Sequence, residues 1–280
     1  MRQRRQEKAM IEIGGGDVAV FASDIHLDDH DPGTARWFLE ALAHASSDAT
    51  HVFVLGDLFE YWVGDDQPGA TVEAAVGLLH ALSSGGVEVF VMRGNRDFLL
   101  NQGTPAHAGV AFTDRTGALM LSDPTRADLF GTPTLLLHGD SLCTADAAYQ
   151  EFRTLSRDRQ WQEDFLRHSL AERIEYAQAL RAQSERSKAD KRPEWMDVVA
   201  EAVLETAHTH GIAAMIHGHT HRPARHHHHR ADRELVRWVL PDWWALEDRA
   251  DEHPQRGGFL RVSSAGWEAI GPWAVSLATR

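Results

Sequence analysis

Five short apolar runs in this chain each stop at a polar cluster: "SDIHL", "LGDLFE", "RGNRDF", "LHGDSL" and "IHGHTH". No other feature limits the fold as strongly. A buried-looking run of about 4–8 residues bounded by Gly, Asp or Asn reads as a strand. The first three runs, at Val18–Ala22, 52–55 and 87–92, are separated by stretches of helical periodicity at 34–45 and 71–83. The second of these closes on Gly85-Gly86, a helix C-terminal signal. Strands alternating with helices predict an α/β fold. In open α/β sheets, sites form just beyond the carboxyl ends of strands. A single Asp, Asn or Gly there is turn chemistry. Five clusters of metal-ligand residue types in one chain are not.

Further strands are predicted at 134–137, 213–216, 235–240 and 259–263. From 146 to 189 the pattern is helical and strongly charged. Trp161, Phe165, Leu166, Leu170 and Ile174 form an apolar stripe there at helical spacing. Such a stripe is usually core; a lid over an apolar ligand is the sharper alternative. Pro193 fits the first turn of another helix running to about 210. The polar stretch 241–258 reads as a loop. The histidine run at 226–229 also reads as a solvated loop, because adjacent side chains rarely converge on one ion. Residues 1–16 are expected to be a basic extension without the apolar segment of a signal peptide, and 17–280 one domain.

Composition removes several functions. A formal net charge of -13 argues against a nucleic-acid surface. The single cysteine, Cys143, excludes an intramolecular disulfide and fits a reducing compartment. No apolar run approaches membrane-spanning length.

The clusters hold Asp24, His26, Asp57, Asn95, His138, His219 and His221. These are mixed oxygen and nitrogen donors without a thiolate, a set that suits Mn2+, Fe2+ or Zn2+. Alternate residues of His-Thr-His can turn two imidazoles to one side of an extended segment. Seven donors exceed the need of one tetrahedral ion. Two ions sharing a carboxylate, roughly 3.5–4 Å apart, would account for them.

The order D-x-H, G-D, G-N-x-D, H-G-D, G-H-T-H over 18–222 resembles the calcineurin-like metallophosphoesterases. The resemblance implies a two-layered β-sandwich flanked by helices. It implies a first metal on Asp24, His26, Asp57 and His221, and a second on Asp57, Asn95, His138 and His219, with Asp57 bridging. His217 falls outside the pattern and is expected to pack. "LGDLFEYWVGDD", "GNRDFLL", "HGDSLCTADAAYQEFR" and "IHGHTHRPA" further resemble the UDP-2,3-diacylglucosamine diphosphatase family of lipid A biosynthesis. That resemblance implies two Mn2+ ions and cleavage of the UDP-linked diacylated glucosamine to UMP and 2,3-diacylglucosamine 1-phosphate. A metal-bridged hydroxide would attack the α-phosphorus. It implies a helical cap insertion at about 150–192 over the acyl chains. Substrate contacts are expected from Arg96, Asp146, Ser184, Lys188, Lys191 and His219. Asp57, Asn95, Arg96 and His219 are the expected catalytic set. Arg96 stands where many relatives carry histidine. An arginine cannot donate a proton at working pH but can clamp a diphosphate. Asp97 is expected to brace the loop or an active-site histidine. The chain is expected in the cytoplasm, in transient contact with the inner membrane's surface, with no obligate protein partner. Another nucleotide-diphosphate hydrolase, a phosphodiesterase and a non-catalytic scaffold stay open.

Overall fold

The computed structural model describes residues 10–103, 110–190, 196–230, 233–245 and 255–278. The first three runs become parallel neighbours: β2 (Val18–Ala22), β3 (His51–Leu55) and β4 (Glu88–Met92). Their crossovers are α1 (Pro32–Ala45) and α2 (Ala70–Ser84). Asp31 starts α1 by accepting the Thr34 N–H at 3.0 Å, with proline in the first turn.

Two six-stranded sheets result. One runs β12-β11-β2-β3-β4-β5, completed by β5 (Leu119–Leu121), β11 (Phe259–Ser263) and β12 (Gly266–Ile270). The other runs β1-β6-β7-β8-β10-β9. Its members are β1 (Ile11–Ile13), β6 (Thr125–Leu129), β7 (Thr132–Leu136), β8 (Ala214–His217), β9 (Ala224–Arg230) and β10 (Arg233–Val239).

Strand alternation explains why the runs are apolar throughout. Ala19, Phe21, Phe53, Leu55, Phe90 and Met92 face the other sheet, where Leu136, Ile216 and Trp238 meet them. Val20, Ala22, Val52, Val54, Val89 and Val91 face outward onto Phe38 and Leu42 of α1 and Val76 and Leu79 of α2. Both faces are covered, so every position after the first of each strand is buried. Phe21, Phe53 and Phe90 stack in register at 4.6 and 4.8 Å. On the far side, α7 (Ala200–His210) covers Leu135, Met215 and Leu235 with Val203 and Ala207. The β-sandwich flanked by helices is thus observed.

Three helices follow β7: α4 (Ala147–Ser156), α5 (Arg159–Phe165) and α6 (Leu170–Asp190). They dock on the loops after β3 and β4. Arg157 Nη2 donates to Gly94 O at 2.9 Å, and buried Arg173 grips Asp66 with two bonds of 2.9 and 2.6 Å. The predicted stripe is broken between α5 and α6. A capping box starts α6: the Ser169 N–H donates to Glu172 Oε2 at 2.8 Å, and the Glu172 N–H returns to Ser169 Oγ at 3.4 Å.

Three local expectations change. Ile11–Ile13 pairs with β6, so the expected extension over 1–16 carries an edge strand; residues 1–9 lie outside the described part. The histidine run is not a loop. It forms β9, at a sheet edge where polar side chains are tolerated. The helix expected from Pro193 starts instead at Ala200, after an extended Val199 whose N–H donates to Leu142 O at 2.9 Å. Pro193 itself lies outside the described residues.

Candidate metal centre

Every expected ligand stands at a strand's carboxyl end. Asp24 and His26 follow β2, Asp57 follows β3, and Asn95 follows β4. His138 follows β7, and His219 and His221 follow β8. Five of the seven adopt the left-handed backbone: Asp24 (φ 54°), His26 (57°), Asp57 (53°), His219 (66°) and His221 (54°). Among the described residues only Asn101 and Phe130 do so elsewhere without being glycine. Each such residue costs on the order of 1–3 kcal/mol, held by the surrounding structure. Here the cost accompanies alternate side chains, Asp24 with His26 and His219 with His221, converging on one cluster. Asp, Asn and His tolerate this region best, which fits the residue types found there.

Asp24, His26 and His221 bring donor atoms within 4.8 Å of one another, as do Asp24, Asp57 and His138. His26 Nε2 is 3.3 Å from His221 Nε2, which is 3.5 Å from Asp24 Oδ1. His138 Nε2 is 3.6 Å from Asp57 Oδ2 and 3.0 Å from Asn95 Oδ1. His219 Nδ1 is 2.8 Å from that same amide oxygen. All seven residues are therefore brought together: Asp24, His26 and His221 meet in one set, Asp24 also meets Asp57 and His138, and His138 and His219 share the Asn95 amide oxygen. The rings are also oriented from behind. His138 Nδ1 donates to Leu55 O at 3.0 Å, which turns Nε2 toward the cluster. His26 Nδ1 lies 3.1 Å from Glu60 Oε2, and His221 Nδ1 lies 3.5 Å from Asp242 Oδ2.

The glycines of the motifs have a steric cause. A Cβ on Gly94 would lie 2.0 Å from Asp57 Oδ1, and one on Gly218 would lie 1.9 Å from Asp24 Oδ2. Both carboxylates rest against bare backbone. Gly94→Ala is expected to displace Asp57 and to cut bound divalent metal by more than about tenfold. Metal analysis of the gel-filtered protein checks this, with far-UV circular dichroism unchanged.

Asp97 fastens two of the loops. Its fully buried carboxylate accepts the N–H groups of Gly94 (2.7 Å) and Leu58 (2.8 Å). Burial and the nearby Asp57 charge raise it to about 6. Burial alone would depress His138, but Asp57, Asp24, Asp140 and Asp123 outweigh it and raise the imidazole to about 9. His26 is likewise raised against its burial by Glu60. These opposing pulls report a largely buried cluster with excess negative charge. Divalent metal fits both that charge and the oxygen and nitrogen donors. Cys143 does not join them: burial pushes its thiol up to about 12. His217 does not either. Its ring is held between Gly218 O and Arg237 Nη1, both at 2.9 Å, and burial and Arg237 lower it to about 3.

A cavity of about 340 Å³ opens beside Asn95 and Arg96. Phe98, Phe152, Trp161, Phe165, Tyr176 and Leu180 make it apolar. At its mouth Glu60 accepts from Arg96 Nη1 at 2.9 Å and pairs with Arg181 of α6 at 3.1 Å. Burial pushes Glu60 up, but His26, Arg96 and Arg181 bring it down to about 2. The Arg96 backbone N–H donates to Asp57 Oδ1 at 2.8 Å. Asp146 does not line this cavity; it caps α4 by accepting the Tyr149 N–H at 3.2 Å. The side chains of Ser184 and Lys188, and the whole of Lys191, lie outside the described residues. Glu60, Asp242 and Tyr149 were not singled out from the sequence. Tyr149 donates to Asp140 at 2.7 Å and stands 5.6 Å from the His219 ring.

Residues 19–223 match the family model of the calcineurin-like phosphoesterases. The chain belongs to this family. It is 42% identical over 251 residues to the UDP-2,3-diacylglucosamine hydrolase of Chromobacterium violaceum, covering 89% of this chain and 97% of that one. It is 44% identical over 254 residues to the enzyme of that name from Aromatoleum aromaticum, covering 91% and 94%. Within the phosphoesterases it is a member of the UDP-2,3-diacylglucosamine hydrolase family. Among solved structures, Vacuolar Protein Sorting 29 of Cryptosporidium parvum aligns with a TM-score of 0.38 and 10% identity, covering 91% of this chain and 96% of that one.

Proposed function

We propose that this protein hydrolyses UDP-2,3-diacylglucosamine to UMP and 2,3-diacylglucosamine 1-phosphate, with two Mn2+ ions as cofactor. The observation that carries the reading is the junction of the metal-ligand cluster with an apolar cavity at Asn95 and Arg96. A diphosphate joined to two acyl chains has that same change of character. In this reading Asp24, His26, Asp57 and His221 hold one ion, and Asp57, Asn95, His138 and His219 the other. Bound there, two divalent cations polarise phosphoryl oxygens and lower the pKa of water.

The chain's own residues supply the rest. The α4–α6 segment acts as a cap, and its aromatic side chains with Phe98 receive acyl chains and exclude water. Arg96 faces the phosphates from the cavity's mouth and offsets charge that grows there. Glu60 keeps the guanidinium aimed. The departing sugar phosphate is a much weaker base than an alkoxide, so the absence of a proton donor at position 96 costs little. Beyond Arg181, α6 runs on toward Ser184 and Lys188, with Lys191 after it; with Asp146 these are our proposed contacts to sugar and phosphate oxygens. No described helix is long and apolar enough to cross a membrane. The diacylated substrate supports transient contact with the cytoplasmic face of the inner membrane.

Incubation with Mn2+ and UDP-2,3-diacylglucosamine is expected to yield UMP and the lipid 1-phosphate by mass spectrometry. Chelator should abolish the reaction and added Mn2+ restore it. Equal or faster cleavage of UDP-N-acetylglucosamine, ADP-ribose or a simple phosphodiester would sink the assignment.

A further inference from the structure

A second cavity, of about 1030 Å³, borders the metal-ligand cluster at His221. It shares no lining residue with the apolar cavity beside Asn95. Its walls are of a different kind. Thr220, Arg222, His226, Arg237, Trp244 and Arg256 contribute to them.

Arg237 carries most of the argument. It is 5% exposed. Its Nε lies 3.2 Å from His228 Nε2, and its Nη1 lies 2.9 Å from His217 Nε2. Among the described residues no carboxylate touches it. Arg222 pairs with Asp197, and Arg256 lies 2.8 Å from Asp242, so those two charges are compensated. Asp197 acts on Arg237 from a longer distance. A buried guanidinium whose hydrogen bonds among the described residues go to imidazoles is costly until an oxygen-rich group reaches it. The second feature is a planar platform. The Arg256 guanidinium lies over the Trp244 ring at 5.4 Å. Flat π-systems stack on such surfaces. The third is a spare polar atom. Thr220 Oγ1 is buried without a hydrogen-bond partner and borders the same space.

The histidine run also finds a place. Along β9, His226 and His228 are half-buried while Arg225, His227 and His229 are exposed. One face of the strand therefore supplies His226 to the cavity wall and His228 to Arg237.

We propose that this cavity is the nucleotide-side subsite, taking the uridine monophosphate half of the substrate through stacking on Trp244–Arg256 and polar contacts from Arg237, Thr220 and His226. The inference rests on the function proposed above. That substrate has an acyl half and a nucleotide half on either side of the diphosphate. The apolar cavity suits the first and offers little to a uracil ring. The second offers cations, a stacking surface and a hydroxyl, which match a ring bearing carbonyl oxygens and an N–H.

The test is calorimetric titration of UMP into the full-length, Mn2+-loaded protein, alongside 2,3-diacylglucosamine 1-phosphate. Trp244→Ala is expected to weaken UMP about tenfold or more, by the worth of a base–aromatic stack. Thr220→Val and His226→Ala should weaken it severalfold. None of the three should alter the affinity for the lipid product. His227→Ala, on the outward face of the same strand, should leave UMP binding as it was. Saturation transfer from the protein to the uracil protons should fall in Trp244→Ala. Unchanged UMP affinity in Thr220→Val and His226→Ala overturns the subsite, as does equal weakening of both products. Failure of the unaltered protein to cleave the lipid substrate counts instead against the proposed reaction.

Discussion

Asp57→Ala is expected to lower hydrolysis by about a thousandfold or more and to strip bound metal. Losing one electrostatic partner in an active site costs on the order of 10²–10³ in turnover. A carboxylate shared by two ions should sit at or above the top of that range. The two Asp57 oxygens have different neighbours. Oδ1 accepts the Arg96 N–H at 2.8 Å, and Oδ2 lies 3.6 Å from His138 Nε2. Asp57→Asn separates charge from shape. Asparagine tolerates the left-handed backbone at φ 53° and preserves the size of the side chain. It also removes the charge that helps raise Asp97 to about 6. That same charge does most to raise His138 to about 9, so the metal-free Asn variant is expected to melt close to the metal-free parent while remaining inactive. Calorimetry in chelator reads the first outcome, and metal analysis with a product assay reads the second. Near-normal turnover in a metal-depleted Asp57→Ala protein would end the metalloenzyme reading.

The strand ends were legible because two signals coincide there. Runs such as "VFVL" are apolar at every position since both sheet faces are covered, and each then stops at ligand-type residues. Neither signal depends on distant partners. What was not legible depends on them. The run at 226–229 looks like a loop until β10 pairs with it, because only the register decides which histidines face inward. The stripe from Trp161 to Ile174 looks continuous, because the capping box between the two helices spans only the four residues from Ser169 to Glu172. Glu60 sits in a recognisable motif, yet its contacts to His26, Arg96 and Arg181 come from separate elements. Asp242 lies in a stretch read as a loop and becomes relevant only when it meets His221. Left-handed backbone at five ligands follows from packing loops against each other, as when Asp97 draws in the N–H groups of two of them.

Arg96→Ala should separate phosphate recognition from metal binding, with kcat/KM down about 10²–10³-fold and metal content unchanged. The division follows from which atoms of the residue do what. The backbone N–H positions Asp57, and alanine retains it. The side chain reaches Glu60, and that carboxylate keeps His26 at 3.1 Å and Arg181 at 3.1 Å when the guanidinium is gone. Ligand geometry is thus held without the side chain. What disappears is a fork of donors at the mouth of the apolar cavity. Arg96→Lys restores the charge but not the planar fork, so it should recover only part of the loss. Because arginine stays protonated throughout the working range, neither substitution should introduce or remove an ionisation in the pH–rate profile. Loss of metal alongside activity, or full recovery by lysine, would make Arg96 a brace for the centre and not a clamp on the diphosphate.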